Sequence, residues 1–272
     1  MWLATANKLT LARILRRVVG TARAAVGHRD TEVVCRRRGV TWSLDLDEGV
    51  QFALYMGLYE RGTVAALRRL CPPDGIVLDI GANVGAQALP LAARLAEGGR
   101  VIAVEPADQA YGRLRQNIAL NPSIVNRVQP LHLALVEEGG RVDERYFASW
   151  PLTASARREA VAAGHRVHPV HQGAPHDSTA RGSSLDALVG ELALARVDLI
   201  KLAVDGHELA VLRGARDTLA RMRPIVVFEF CPYLLDELGE SPHVLLSIFD
   251  EAHYSLHNQG SMARRSALIA IG

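Results

Sequence analysis

Along the 272 residues, apolar and polar positions change their period, and each change marks an element. Near the start, Leu11, Ile14, Leu15 and Val18 recur at helical spacing, with Arg13, Arg16 and Arg17 on other faces. From about Thr31 to Leu46, EVVCRRRGVTWSLDL alternates and predicts a hairpin turning near Arg38-Gly39. GVQFALYMGLYERGTVAALRRLC predicts a helix that Pro72-Pro73 stops. GIVLDIGANVG is a short β-type run that breaks at glycines, and AQALPLAARLAEGG predicts a helix closed by Gly98-Gly99. RVIAVEP predicts a second strand. ADQAYGRLRQNIALN predicts a second helix, starting near Ala107 or Asp108 and ended by Asn121-Pro122. VQPLHLALV predicts a third strand.

Strand, helix, strand, helix, strand at this spacing predicts an α/β fold, a doubly wound, mostly parallel sheet with flanking helices. The alternation pauses from about Glu137 to Ser183. It resumes with SLDALVGELAL as helix, VDLIKLAV as strand, HELAVLRGARDTLARM as helix and PIVVFEF as strand. YLLDELGESPHVLLSIFDEAHYSL adds a helix or two, and SALIAI supplies a closing strand; these segments name six strands, and the fold class expected is a seven-stranded sheet. The organisation is one α/β domain over 71–272, a helical and hairpin extension over 1–70, and a polar insertion at about 139–182. That insertion carries His165, His168, His171 and His176. Their spacing fits no zinc pattern and no cysteine supports one, so a surface segment or substrate lid is the better expectation.

Composition narrows the class. A 49% hydrophobic content supports a sizeable core, and a net charge of +2 gives no electrostatic case for nucleic acid. Cys35, Cys71 and Cys231 are odd in number and far apart, which suggests neither a disulfide framework nor a metal site and favours a reducing, cytoplasmic compartment. No apolar run is long enough to span a bilayer. The first 29 residues, however, hold six Lys or Arg and no acid. Such a helix suits peripheral contact with an anionic membrane, imitation of a transit peptide, dimerisation, or packing on its own domain. Packing is how most amphipathic helices satisfy their apolar face.

The chemistry begins at VLDIGANVGA. Asp79 falls at a strand end, Gly81 and Gly85 lie in the turn, and a helix follows. Glycines admit close backbone approach, and a helix N-terminus offers free N–H groups. About twenty residues later Glu105 ends the second strand, where a carboxylate can accept both hydroxyls of a ribose. The loop is not GxGxxG, and Asp79 would repel a diphosphate but attract an ammonium. That pattern favours S-adenosylmethionine over NAD, and a structural turn with no ligand is the plainer alternative.

VLDIGANVGA, VIAVEP, SLDAL, VDLIKLAVDGHELAVLRGA and VVFEF together resemble the FkbM-type methyltransferases, within the class I S-adenosylmethionine-dependent group. The upstream SLDLDEGVQFALYMGLYE is similar to segments found in some members, so the likeness runs from about Trp42 to Phe230. The resemblance implies a Rossmann-like sheet and a cofactor site lined by Asp79, Gly81, Ala82, Asn83, Gly85, Glu105 and Pro106. His132 and Ala134 would lie on its adenine side. The family's Lys-Ile-Asp-Val-Glu-Gly segment is here Lys201-Leu-Ala203-Val-Asp205-Gly, so its aspartate is missing at Ala203 and its glutamate is one methylene shorter.

The strand holding Lys201 is expected to deliver Asp205, His207 and Glu208 to the sheet's ligand-binding rim. Methyl transfer to an alcohol needs a proton removed from a weak nucleophile. Asp205 or His207 could be that base, Lys201 could lower the acceptor's pKa or hold a carboxylate, and Glu229 could bind the acceptor. The structural alternatives are a first helical turn at His207-Glu208 and a Lys201–Glu229 ion pair across neighbouring strands. Loss of an acid at Ala203 weakens a metal-dependent mechanism, since hard cations want several carboxylate oxygens. The leading expectation is O-methylation of a small-molecule acceptor, a sugar or specialised-metabolite hydroxyl. N-methylation, and a binding protein that has lost turnover, stand behind it.

Overall fold

The computed structural model describes residues 5–138, 142, 145–155, 158, 174–258 and 266–272. Three strands, β3 (Ile76–Ile80), β4 (Arg100–Val104) and β5 (Val128–Leu131), run parallel from the middle of the main sheet to one edge. On the other side lie β10 (Leu199–Leu202) and β11 (Ile225–Phe230), also parallel. Then comes β13 (Ser266–Ile271), antiparallel to its neighbours β11 and β12 (Ser255–Asn258). The order is β12-β13-β11-β10-β3-β4-β5, the expected seven-stranded, mostly parallel sheet. Its direction of winding reverses between β3 and β10, which opens a crevice beyond the carboxyl ends of those two strands.

The alternation of side chains along each strand explains why both faces are covered. One face, with Val77, Val101, Leu199 and Val227, shares a core with Trp42, Leu44 and Phe52 from the N-terminal extension. The other, with Leu78, Ile102, Ile200 and Phe228, packs against α6 (Leu185–Glu191), α7 (Glu208–Arg213), α8 (Arg216–Met222) and α10 (Pro242–Glu251). Between β11 and α10 the chain forms the short α9 (Pro232–Glu237).

In the extension, α1 (Thr5–Ala25) packs Leu9, Ala12, Leu15 and Val19 on the first core and pairs Arg16 with Asp47 at 2.7 Å. Its opposite stripe, Leu11, Ile14 and Val18, is exposed. The hairpin forms as expected, β1 (Glu32–Arg37) against β2 (Val40–Asp45), with φ of 53° at Arg38 and 82° at Gly39. Positive φ at both central residues is what a two-residue hairpin turn requires. Among the described residues no helix is long and apolar enough to cross a membrane.

Several expected elements are divided. The stretch 49–71 is not one helix but α2 (Gly49–Tyr55) and α3 (Arg61–Leu70). Gly57, with φ 70°, ends α2: its N–H meets Leu54 O and the Leu58 N–H meets Ala53 O, a Schellman closure that apolar periodicity hides. The helix after the glycine loop shrinks to α4 (Ala88–Ala92), while α5 (Asp108–Ala119) is full length. HELAVLRGARDTLARM divides into α7 and α8. The third strand breaks at His132: β5 stays in the main sheet, and β6 (Leu133–Leu135) pairs instead with β9 (Arg181–Ser183). Pro130 sits in β5 at the sheet's edge, where its missing N–H interrupts no second ladder. The polar insertion holds regular structure too, a hairpin of β7 (Arg145–Ser149) and β8 (Ala174–Asp177). There the Ser149 Oγ lies 2.6 Å from His176 Nε2. His165, His168 and His171 fall outside the described residues.

Candidate active site

The crevice between β3 and β10 is floored by a buried ion pair. Asp79 and Lys201 sit opposite each other in the parallel register, so their side chains share a sheet face. Lys201 Nζ is 3.1 Å from Asp79 Oδ1, and it donates to the carbonyls of Gly81 at 2.7 Å and Ile80 at 3.3 Å. Lys201 therefore meets the carboxylate of Asp79, on the strand beside it. The lysine ties β10 to the first residues of the glycine loop. Asp79 exposes no surface, and neither of its oxygens makes a hydrogen bond among the described residues. Its charge is countered inside the protein by Lys201.

The loop above this pair needs its glycines. Gly81 has φ 76°, and a Cβ there would stand 1.9 Å from the Ala203 carbonyl oxygen. Only a residue without Cβ lets the loop after β3 lie this close to the exit of β10. Asn83 is also left-handed, with φ 49°, and its side-chain oxygen accepts the Val84 N–H at 2.8 Å. Gly85, with φ 90°, turns the chain toward α4.

Glu105, at the end of β4, reaches this loop. Its Oε2 accepts the Asn83 N–H at 2.7 Å and its Oε1 accepts the Ala107 N–H at 2.9 Å. Burial pushes its pKa up to about 7, against the pull of those two N–H groups and of Lys201. Each oxygen keeps a lone pair beyond its one backbone donor, so the carboxylate still fits a vicinal diol. Pro106 is buried beside it. His132 stacks on Tyr111 with centroids 4.6 Å apart, and its Nε2 lies 2.9 Å from Asp108 Oδ1 and 3.1 Å from Pro106 O. Ala134 is buried in β6. The structure thus gathers Glu105, Pro106, His132 and Ala134 along one side of the crevice, beside the Gly81–Gly85 turn with Ala82 buried in it.

The opposite side is the exit of β10. Asp205 has φ 50° and Gly206 φ 104°, and backbone held in such wells by its surroundings is a pointer to function. Glu208 does not stand on the rim as expected. It is 1% exposed, and its two oxygens accept the N–H groups of Val204 and Gly206, both at 2.9 Å. Its pKa, like that of Glu105, rises to about 7 because of burial. Glu208 shapes the loop that presents Asp205 and His207, and both of those side chains are half-buried.

A shallow cleft lies beside this loop, lined by Glu60, Thr63, Lys201, Ala203 and Glu229 among others. Lys201 and Glu229 are therefore brought together, as the shared sheet face of Val227 and Glu229 dictates. Glu60 and Thr63 were not foreseen. They arrive from the turn before α3 and from its first residues, and Gln87 Nε2 holds Glu60 Oε2 at 3.0 Å. The one local signal is Gly57, whose helix break frees Glu60 to adopt φ 34°.

An open, doubly wound sheet with a glycine turn, a strand-end carboxylate and a polar cleft at its switch point is the architecture of α/β enzymes, whose ligands sit beyond the carboxyl ends of the strands. Comparison narrows the class: the methyltransferase FkbM domain matches residues 79–256, and the chain belongs to the FkbM methyltransferase family. It is 28% identical over 184 residues to the 2-O-methyltransferase NoeI of Sinorhizobium fredii, covering 65% of this chain and 71% of that one. With the hexuronic acid methyltransferase AglP of Haloferax volcanii the identity is 24%, over 62% of this chain and 61% of the relative. With the AMB antimetabolite synthetase AmbE of Pseudomonas aeruginosa it is 29%, over 57% of this chain but only 8% of that much longer protein.

Proposed function

We propose that this protein transfers the methyl group of S-adenosylmethionine to a hydroxyl of a sugar or specialised metabolite. The observation that carries the reading is the pairing of two sites across one switch point. The glycine turn with its strand-end carboxylate (Gly81–Gly85, Glu105, His132, Ala134) supports the donor side, and a cleft lined by Glu60, Thr63 and Glu229, with Asp205 and His207 at the exit of β10, supports the acceptor side. Family membership supports the transferred group. The names of NoeI and AglP support an oxygen or sugar acceptor.

When bound, S-adenosylmethionine supplies an electrophilic methyl on a sulfonium. The chain's own residues do the rest. Glu105 accepts the ribose hydroxyls, and the Gly81–Gly85 backbone lies close against the cofactor. Glu60 and Glu229 accept hydrogen bonds from acceptor hydroxyls. Asp205 or His207 takes the hydroxyl proton as the oxygen attacks, so the acceptor never carries a full positive charge. Lys201 is placed by its three contacts to steady the glycine loop rather than to meet the acceptor directly.

Calorimetric titration with S-adenosylhomocysteine, with and without EDTA, tests the cofactor. A screen of methyl glycosides and uronic acids with methyl-labelled donor, read by NMR, then tests the acceptor. The expected product carries a new O–CH3. Folded protein that binds no S-adenosylhomocysteine overturns the cofactor assignment, and a label found on nitrogen overturns the acceptor assignment.

A further inference from the structure

The insertion does more than cross the surface, because one of its side chains touches both halves of the crevice. Tyr146, on β7, is 9% exposed and packs against Ala107, Ala110 and Ala134. Ala107 follows Glu105 and Pro106 at the exit of β4, and Ala134 lies in β6, so these alanines belong to the donor side. Their small side chains leave the room that the phenol ring fills. The same ring lies 5.3 Å from the imidazole of His207, tilted by 55°, and His207 stands on the acceptor side beyond β10. Tyr146 bridges the switch point.

Its position is fixed from several directions. Just beyond β7, Trp150 donates its N–H to Glu48 Oε1 at 2.9 Å and accepts the Gly49 N–H at 2.9 Å. The returning arm is held by Ser178 Oγ, which donates to Pro106 O at 2.7 Å, and by the Thr179 N–H, which donates to Asp108 Oδ1 at 2.8 Å. The arms thus grip the extension on one side and the exit of β4 on the other. A ring held this way cannot follow His207 passively.

We propose that Tyr146 is a positioning residue for methyl transfer: it rests on the donor side and sets the orientation of His207 over the acceptor cleft. The proposal rests on the cofactor reading above. It implies that filling the nucleoside site is felt at His207 through one aromatic ring, so that the base is aligned only when donor is present.

The test uses the full chain with S-adenosylhomocysteine and compares Tyr146→Phe with Tyr146→Leu. Leucine keeps apolar volume but gives up the aromatic contacts, while phenylalanine keeps the ring. Histidine ring resonances are followed by NMR, with His207 assigned from its loss in His207→Gln. In the wild type and Tyr146→Phe, the ligand is expected to shift the His207 signals. In Tyr146→Leu that shift is lost and affinity falls about tenfold, the scale of an aromatic contact worth roughly 1.4 kcal/mol. A folded Tyr146→Leu protein that binds as tightly as wild type, with the same His207 shift, overturns the proposal. Wild-type protein that binds no S-adenosylhomocysteine overturns the cofactor reading and this proposal with it, a result separable from the first by the wild-type titration alone.

Discussion

Replacing Lys201 by methionine separates a clamp from a catalyst. The change keeps most of the side chain's volume and removes its charge. It leaves the Asp79 carboxylate, which exposes no surface, without its counter-charge at 3.1 Å. It also takes a side-chain donor from Gly81 O and Ile80 O. Breaking a buried ion pair from one side costs about 3–5 kcal/mol, and the donor lost to Gly81 O adds to that. A loss of about 4 kcal/mol at a urea slope of about 3 kcal/mol per M moves the unfolding midpoint down by about 1.3 M. Asp79→Asn in the same protein removes the uncompensated charge. The double variant should therefore be less damaged than the sum of the single ones by about 2 kcal/mol or more. The assay is urea unfolding followed by circular dichroism on all four proteins. Coincident midpoints for wild type and Lys201→Met, or strict additivity in the cycle, would refute the clamp and return Lys201 to a direct role on the acceptor.

Three further expectations follow from the same geometry. Gly81→Ala drives a Cβ to 1.9 Å from Ala203 O in a left-handed backbone, so the loop must move by more than 1 Å; S-adenosylhomocysteine affinity in calorimetry should fall at least tenfold while the protein still folds. Glu105→Gln exchanges a carboxylate for an amide that accepts at one end only, so affinity for S-adenosylhomocysteine should again fall about tenfold, and unchanged affinity would exclude the ribose contact. Stability should decline as pH rises from about 4.5 to about 7. Glu48, Glu105 and Glu208 each have a folded pKa raised to about 7, chiefly by burial, so in that window the folded state binds more protons than the unfolded chain. Thermal melts at pH 5 and pH 7.5 read the sign directly, and a higher melting point at pH 7.5 would contradict it.

Most of the sheet was legible because β3, β4, β10 and β11 are short apolar runs punctuated by glycine, proline or a helix with its own period, whereas β12, SLHN, carries no such signal. Glu105 was legible for a similar reason, since its distance from the glycine turn is set by one helix and one strand. What was hidden is tertiary. Lys201 carries no local sign that its partner lies 122 residues earlier; that follows from strand order, which places β10 beside β3. Glu208 looked like a rim residue because it follows the exit of an apolar strand, whereas its carboxylate turns back to cap the loop before it. Glu60 and Thr63 enter the cleft only because the helix expected over 49–71 breaks at Gly57. Tyr146 lay in a stretch whose composition reads as a loop, and pairing with β8 is what fixes it.

The junction of the extension with α5 has a consequence for self-association. Two amides, Asn117 near the end of that helix and Asn121 just beyond it, meet the backbone of β2. The Ser43 N–H donates to Asn117 Oδ1 and the Thr41 N–H to Asn121 Oδ1, both at 2.8 Å, while Asn121 Nδ2 donates to Thr41 O at 2.7 Å. These are the groups that an unpaired strand offers to a passing chain. With side-chain amides occupying them, the free edge of the hairpin mimics one already paired. On the β2 side, another copy of the chain finds no open ladder to extend.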